Sequence, residues 1–407
     1  MATVTARPAS VFSSSSFSRF YAGQAFSFLG DGLRTLAIPL LVFRLTGSAV
    51  AIGWTWALEL LPYAFVSVIA GSLGDRVDRR RLMLGCDAVR FAIMALFAVL
   101  FATGHLSIGM IYAGVFLLAV AGAMFLGAQT PSIPYLLGKD RVKGAVAALN
   151  ATEQAVGLVA PPVGGVLFAL VGPLPALVIN AFTYLVSQVA VASVRTFGPD
   201  MQRGLPSLRE LAADVGVGLR FLFADKTMRL LSFSSCWFNF IASVGFVALI
   251  PYFKREFGAG DHVVGLAFGC FAAGAGIGSY VAGRTHWTFG PAMIVAYFID
   301  GLCWLPLPWT HSLWVAVGGI ALSSLCSGYV VTSIISWRLR VIPESVVGRV
   351  FGVVRLVVLV GVVPGSIISG WSADHLGARM TMLISAFGFM AYTIVIAFSR
   401  TLRAERR

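Results

Sequence analysis

Several long apolar stretches of this chain enclose ionisable side chains. Asp31 and Arg34 lie three residues apart in one stretch, and Glu59, Glu153, Asp300 and Arg355 each lie within another. An ionised side chain at the centre of a bilayer costs about 2.5–3.5 kcal/mol even on the lenient insertion scale, so each needs a partner or a task. One task is proton coupling, in which a carboxylate holds a proton in one surrounding and releases it in another. Asp31 with Arg34 at i+3 on one helix face suits that task, and the same spacing equally suits a static ion pair. Glu59 and Glu153 have no cation near them in sequence, although Arg355 holds a place in its stretch roughly equivalent to that of Glu153. Asp31 or Glu59 is therefore the expected coupling carboxylate, with Glu153 and Arg355 in the same cavity. Asp300 is expected to cap or pack, and Arg90, three residues after Asp87, to snorkel at a helix end.

The elements that position these groups follow from composition. Of 407 residues, 58% are hydrophobic and 12% charged, with a mean hydropathy of +0.87, which excludes a soluble domain. Twelve apolar runs near the ~20 residues needed to span a bilayer are expected at 20–42, 49–70, 82–102, 107–128, 145–171, 174–194, 230–253, 263–281, 291–309, 313–336, 350–372 and 381–398. They group as six plus six. The implied organisation is an all-α membrane protein: a disordered tail (1–18), a six-helix bundle (19–195), a linker (196–229), a second six-helix bundle (230–399) and a short tail (400–407). In the linker, Leu208, Leu211, Val215, Leu219 and Leu222 recur at helical spacing, which predicts an amphipathic helix that lies on the cytoplasmic face and joins the halves.

A net charge of +13 raises the question of nucleic acid, but placement argues against it. Arg76, Arg79, Arg80 and Arg81 follow the second run, Lys139, Arg141 and Lys143 the fourth, and six basic residues from Arg195 to Arg229 fill the central segment. Arg284, Arg338, Arg340, Arg349 and the final residues repeat the pattern. Opposite loops hold only Arg44, the Lys254/Arg255 pair and Arg379. The positive-inside rule puts both termini and the central segment in the cytoplasm. The first residues lack the features of a secretory signal. The five cysteines and five histidines show no metal-ligand spacing, and no G-x-x-x-x-G-K-[ST] loop occurs, so no metal, cofactor, ATP motor or enzyme activity is expected.

The halves echo each other. "AGSLGDR" near residue 72 resembles "GIGSYVAGR" near 279, and "VAPPVGG" near Pro161 resembles "VVPGSIISG" near Pro364, as a duplicated six-helix unit requires.

The segment "AGSLGDRVDRRRLMLG" carries Gly71, Asp75, Arg76, Arg79 and Arg80 in the order of G-x-x-x-D-R-x-G-R-R, the helix two to three loop motif of the major facilitator superfamily. Asp78 stands where that family has glycine. The whole chain resembles the superfamily in length, helix grouping and central loop. The resemblance implies two pseudo-symmetric bundles and a loop cluster that latches the cytoplasmic side; a merely solvated loop is the alternative. "GLVAPPVGG", with Gly157, Pro161, Gly164 and Gly165, resembles the antiporter motif of exporters in the superfamily, although Ala160 replaces its first glycine; a kinked, tightly packed helix would also use these residues. "SFLGDGLRTLAIPLLVFRLTGSA", "PESVVGRVFG" and "VGPLPALVINAFTYLVS" resemble the macrolide-efflux and siderophore-exporter type. That resemblance implies a monomeric, proton-driven exporter of an amphipathic small molecule in a bacterial-type inner membrane. A lipid flippase or an uptake carrier of the same fold, sodium coupling, and a non-transporting sensor remain open alternatives. Trp54, Trp56, Tyr63, Phe238, Phe240 and Trp337 are candidate substrate-stacking aromatics.

Overall fold

Hydrocarbon offers backbone groups no water, so a chain of this hydropathy must close its hydrogen bonds within each segment. The computed structural model describes residues 11–74, 77–195, 197–198, 208–285, 287–343 and 346–399. Over these it folds as thirteen α-helices without a strand: α1 Ser15–Thr46, α2 Ala49–Gly74, α3 Arg79–Ala102, α4 Ile108–Leu137, α5 Val142–Val171, α6 Pro173–Ala192, α7 Leu208–Ala224, α8 Lys226–Phe257, α9 Asp261–Arg284, α10 Phe289–Trp304, α11 Leu313–Val341, α12 Val347–His375 and α13 Ala378–Ala397. Nine are each long and apolar enough to cross a membrane on their described residues alone. With α2, α5 and the shorter α10 they complete the twelve expected.

Local chemistry sets the boundaries and moves some of them. Residues 11–18 are not a free tail: a short 3-10 turn covers Val11–Ser13, and Ser14 then caps α1 by accepting the Phe17 amide. The Ser14 hydroxyl also donates to the Leu136 carbonyl at 2.8 Å, and Phe17 and Phe20 are fully buried, so the apolar stripe extends back through the serine run. At the other end of α1, Gly47 at φ 64° takes the left-handed conformation that stops a helix. The ninth run, expected at 291–309, ends sooner, at Trp304 of α10, with turns over 305–309. α7 is the expected linker helix, but Leu219 is exposed while Leu222 is buried and Gly218 sits on the Arg349 backbone of α12.

The two bundles repeat one packing scheme. In the first, α1 packs on α5 and α6, α2 on α4, and α3 on α4 and α6; in the second, α8 packs on α12 and α13, α9 on α11, and α10 on α11 and α13. Adding seven to each helix number converts one set into the other. Between bundles, α5 meets α9 and α2 meets α12, and the same rule exchanges these two contacts. Glycine makes both crossings possible. A Cβ on Gly165 would overlap the Gly265 backbone, and one on Gly53 or Gly370 would overlap the backbone near Ser366 or Ala49. All four lie toward the ends of the helices remote from the arginine-rich loops, here called the far side.

Charge reinforces closure of the far side. Asp374, near the end of α12, accepts the Ser48 hydroxyl at 2.6 Å and the Ala49 and Val50 amides at 2.9 Å each, and so caps α2 from the opposite bundle. Arg255 binds Asp374 at 2.7 Å and the Gly47 carbonyl at 2.6 Å, and lies over the Phe43 ring.

Gly165→Val should force the α5–α9 crossing from about 8 Å toward about 10 Å between axes and favour a state open on the far side. Spin-label distances between Leu45→Cys and Trp309→Cys on a cysteine-replaced background check this. A distance distribution equal to that of the parent would show that the crossing does not hold the far side shut.

Candidate functional site: a charged cavity between the bundles

α1 is wedged in the first bundle by its glycines. Gly30 abuts Thr183 of α6 and Gly32 abuts Ala160 of α5, which leaves Asp31 and Arg34 on the wall of a cavity of about 560 Å³. Tyr63, Arg90, Glu153 and Gly157 complete this wall from the same bundle, and Arg355 closes it from α12.

The expected Asp31–Arg34 pair is present but is the looser of two. Arg34 reaches Glu59 at 2.7 Å, with both side chains nearly buried at 10% and 13% exposure, whereas Arg34 Nε lies 3.7 Å from Asp31. Glu59 thus has a cation after all, brought from the neighbouring helix. Asp31 is 30% exposed and accepts a hydrogen bond from the Tyr184 hydroxyl on α6. One guanidinium therefore serves two carboxylates, held by the enclosed one and shared with the one that faces the cavity.

Arg90 departs from expectation. It does not snorkel; it is buried against the cavity between the rings of Tyr184 and Phe125, at 5.1 and 5.5 Å, and 3.7 Å from Asp87. Asp87, fully buried, accepts the Ser187 hydroxyl at 2.7 Å, and Gln24 donates to that same hydroxyl at 3.1 Å. A polar seam thus runs from Asp31 through Tyr184 and Arg90 to Asp87. The i+3 spacing of Asp87 and Arg90 was visible in the sequence; the direction in which they face was not.

The remaining expected residues divide. Glu153 and Gly157 open on the cavity, and Arg355 stands over the Tyr63 ring at 5.4 Å. Gly164 packs on the Leu33 backbone and Gly165 on Gly265; the Pro161 side chain lies outside the described residues. In the loop motif Gly71 falls in the last turn of α2, while Asp75 and Arg76 lie outside the described residues. Arg79 donates to the Pro131 and Phe197 carbonyls and covers the Tyr135 ring, and Arg80 donates to the Ala192 carbonyl at the end of α6 at 2.6 Å. Asp78, where the family has glycine, accepts the Arg80 and Arg81 amides and caps α3. Asp300, expected to cap or pack, is fully buried within α10, accepts Ser323 at 2.5 Å and Ser327 at 3.2 Å, and lines neither described cavity. Of the candidate aromatics, Tyr63 and Phe238 line cavities, Trp56 packs on Phe246 and Trp337 stacks on Phe289 in the core. Among the described residues no three His, Cys, Asp or Glu side chains converge as a metal site.

Two six-helix bundles related by a pseudo-twofold, with charged groups converging between them, define a secondary transporter of the major facilitator type. The chain matches the transmembrane secretion effector family over residues 6–406 and belongs to it. It is 24% identical to macrolide efflux protein A of Streptococcus pyogenes, covering 95% of this chain and 96% of that one. Identity to the multidrug efflux pump Tap of Mycobacterium tuberculosis is 27% over 50% of this chain and 49% of that one. The solved nucleoside transporter NupG superposes with a TM-score of 0.74 at 11% identity, covering 96% of this chain and 99% of that one. A bacterial homologue of the lysosomal transporter Spinster gives 0.73 at 14%, over 96% and 98%. The protein is thus a multi-pass membrane transporter.

Removing one partner of an enclosed ion pair leaves the other uncompensated, at a typical cost of about 3–5 kcal/mol. Arg34→Gln should therefore destabilise the protein strongly, and adding Glu59→Gln should restore part of the loss. Thermal unfolding of the single and double variants in detergent measures the coupling; additive losses would mean that the pair carries no mutual stabilisation.

Proposed function

We propose that the chain exports an amphipathic small molecule across a bacterial-type inner membrane in exchange for protons, working as a monomer with both termini in the cytoplasm. The positive-inside pattern supports that sidedness, and it makes the far side the outer face and the described cavity inward-open. The observation that carries the reading is the unequal sharing of Arg34. Glu59 holds the guanidinium at 2.7 Å in an enclosed place, which leaves Asp31, on the cavity wall and bonded to Tyr184, as the carboxylate that water can reach. A proton can join Asp31 without stranding Arg34, because the Glu59 pair persists. Asp31 is therefore the coupling group and Glu59 the residue that positions its partner.

Export is supported by what the relatives are named for, macrolide and multidrug efflux. The glycines of α5 fit it too: Gly157 opens on the cavity and Gly165 forms the far-side crossing, so one helix touches both the site and the outer closure. Transport proceeds by rocking of the bundles, and each ligand shifts the balance only by its preference for one state. The loop cluster of Gly71, Asp75, Arg76, Arg79 and Arg80 serves as the inner latch once the far side opens.

Purified protein in liposomes with an internal pH dye, given a proton gradient and a panel of amphipathic compounds, should show proton movement triggered by a transported compound. Asp31→Asn should fold and bind that compound yet lose at least about tenfold of the coupled flux. Full coupling in Asp31→Asn would remove Asp31 from the role, and substrate flux without proton movement would sink proton exchange itself.

A further inference from the structure

A second cavity, of about 730 Å³, lies in the other bundle and shares Arg355 and Val358 with the first. The charge of the two differs. In the first cavity Asp31 and Glu153 stand among the arginines; the second presents Arg338, Arg349 and Arg355, and among its described lining residues no carboxylate. The rest of its wall is apolar, with neutral donors and acceptors at Ser235, Asn239 and Tyr297.

Arg338 is the informative member. It is only 4% exposed, its Nη2 contacts the Ser232 and Ser235 hydroxyls at a long 3.4 Å, and its Nε has no hydrogen-bond partner among the described residues. The positive-inside rule accounts for an exposed basic residue such as Arg340 two positions on, not for an enclosed guanidinium. A buried cation with weakly met donors calls for an anion, and the planar fork of arginine suits the two oxygens of a carboxylate or phosphate.

We propose that the second cavity is the anion-binding half of the transport site: it takes the oxyanion head of an amphipathic substrate, a carboxylate, sulfonate or phosphate, on Arg338 and Arg355. The apolar body lies against Phe238, Val331 and Ile335 of the same wall. This rests on the transport reading above and narrows its substrate class to anions. Arg355, on the wall common to both cavities, puts the substrate's charge beside the proton-carrying half. Exporting an anion and importing a proton both move positive charge inward, so an inside-negative membrane potential drives both.

The test is equilibrium binding to the full-length protein in detergent, without any gradient, using two fluorescent probes that share one body: pyrenebutyrate and pyrenebutylamine. Pyrenebutyrate should bind at least about tenfold more tightly than the amine. Arg338→Gln and Arg355→Gln should each weaken pyrenebutyrate by about that factor and leave the amine unchanged, while Arg338→Lys, which keeps the charge and loses the two-pronged fork, should recover only part of the affinity. Equal or tighter binding of the amine overturns the proposal, as does unchanged pyrenebutyrate affinity in the folded variants. Should Arg338→Gln fail to fold, Arg355→Gln and the preference of the parent protein decide. Displacement of the probe by oleoyl lysophosphatidate supports the proposal with a lipid headgroup as the source; pyrenebutyrate binding that lysophosphatidate does not displace supports it with a free organic acid. Displacement by inorganic phosphate alone at the same concentration overturns the amphipathic part. Because no gradient is used, loss of the anion preference leaves proton-coupled export standing, and absent proton flux with intact anion binding leaves this assignment standing.

Discussion

A charge placed in hydrocarbon must be matched, and how each charge is matched separates the parts of this molecule. Arg34 lies between two carboxylates, and its tighter grip on Glu59 makes Asp31 the accessible one. Arg90 and Asp87 are matched by an ion pair, two rings and a serine, and so stiffen the seam behind the cavity. Asp300 has no cation among its described partners; hydroxyls surround it, with Trp304 donating to Ser323 behind them. The same requirement yields an accessible carboxylate on the cavity wall, a scaffold and a packed core polar cluster, according to what encloses each charge.

The duplicated packing scheme explains how such a site can be exposed to either side. The most extensive contacts between the bundles are two crossings, α5 with α9 and α2 with α12, that the internal symmetry exchanges. Small residues let both crossings close on backbone, and Arg255 and Asp374 tie the same ends together by charge. A rocking motion that parted these ends would expose the cavity to the far side while the bundles kept their internal packing.

Much of this was legible in the sequence, because hydropathy and charge placement obey one-dimensional rules. Span number and the linker helix could be read from spacing, as could Asp31, Arg34, Glu153 and Arg355 of the cavity wall, though not Arg90. Pairings between helices could not. Glu59 has no cation within its own turn of helix, and Arg34 comes from α1. Arg90 looked like an end-of-span snorkeller because its distance from the helix end was visible and its facing direction was not. The boundaries moved where capping overruled composition, as at Ser14, whose serine-rich surroundings resemble a tail until Phe17 and Phe20 are seen to be buried. The far-side cluster was missed entirely, since Asp374 and Ser48 are 326 residues apart and neither belongs to a motif.

That far-side cluster makes one helix end report on the conformation of the whole protein. The Ala49 and Val50 amides, at the start of α2, are satisfied by a carboxylate that belongs to the other bundle. When the far-side ends separate, those amides lose their acceptor and the first turn of α2 is free to fray into water. The opening of the transporter is therefore written into the proton exchange of two backbone groups. The local melting of a single helical turn becomes part of the free-energy difference between the two faces of the cycle.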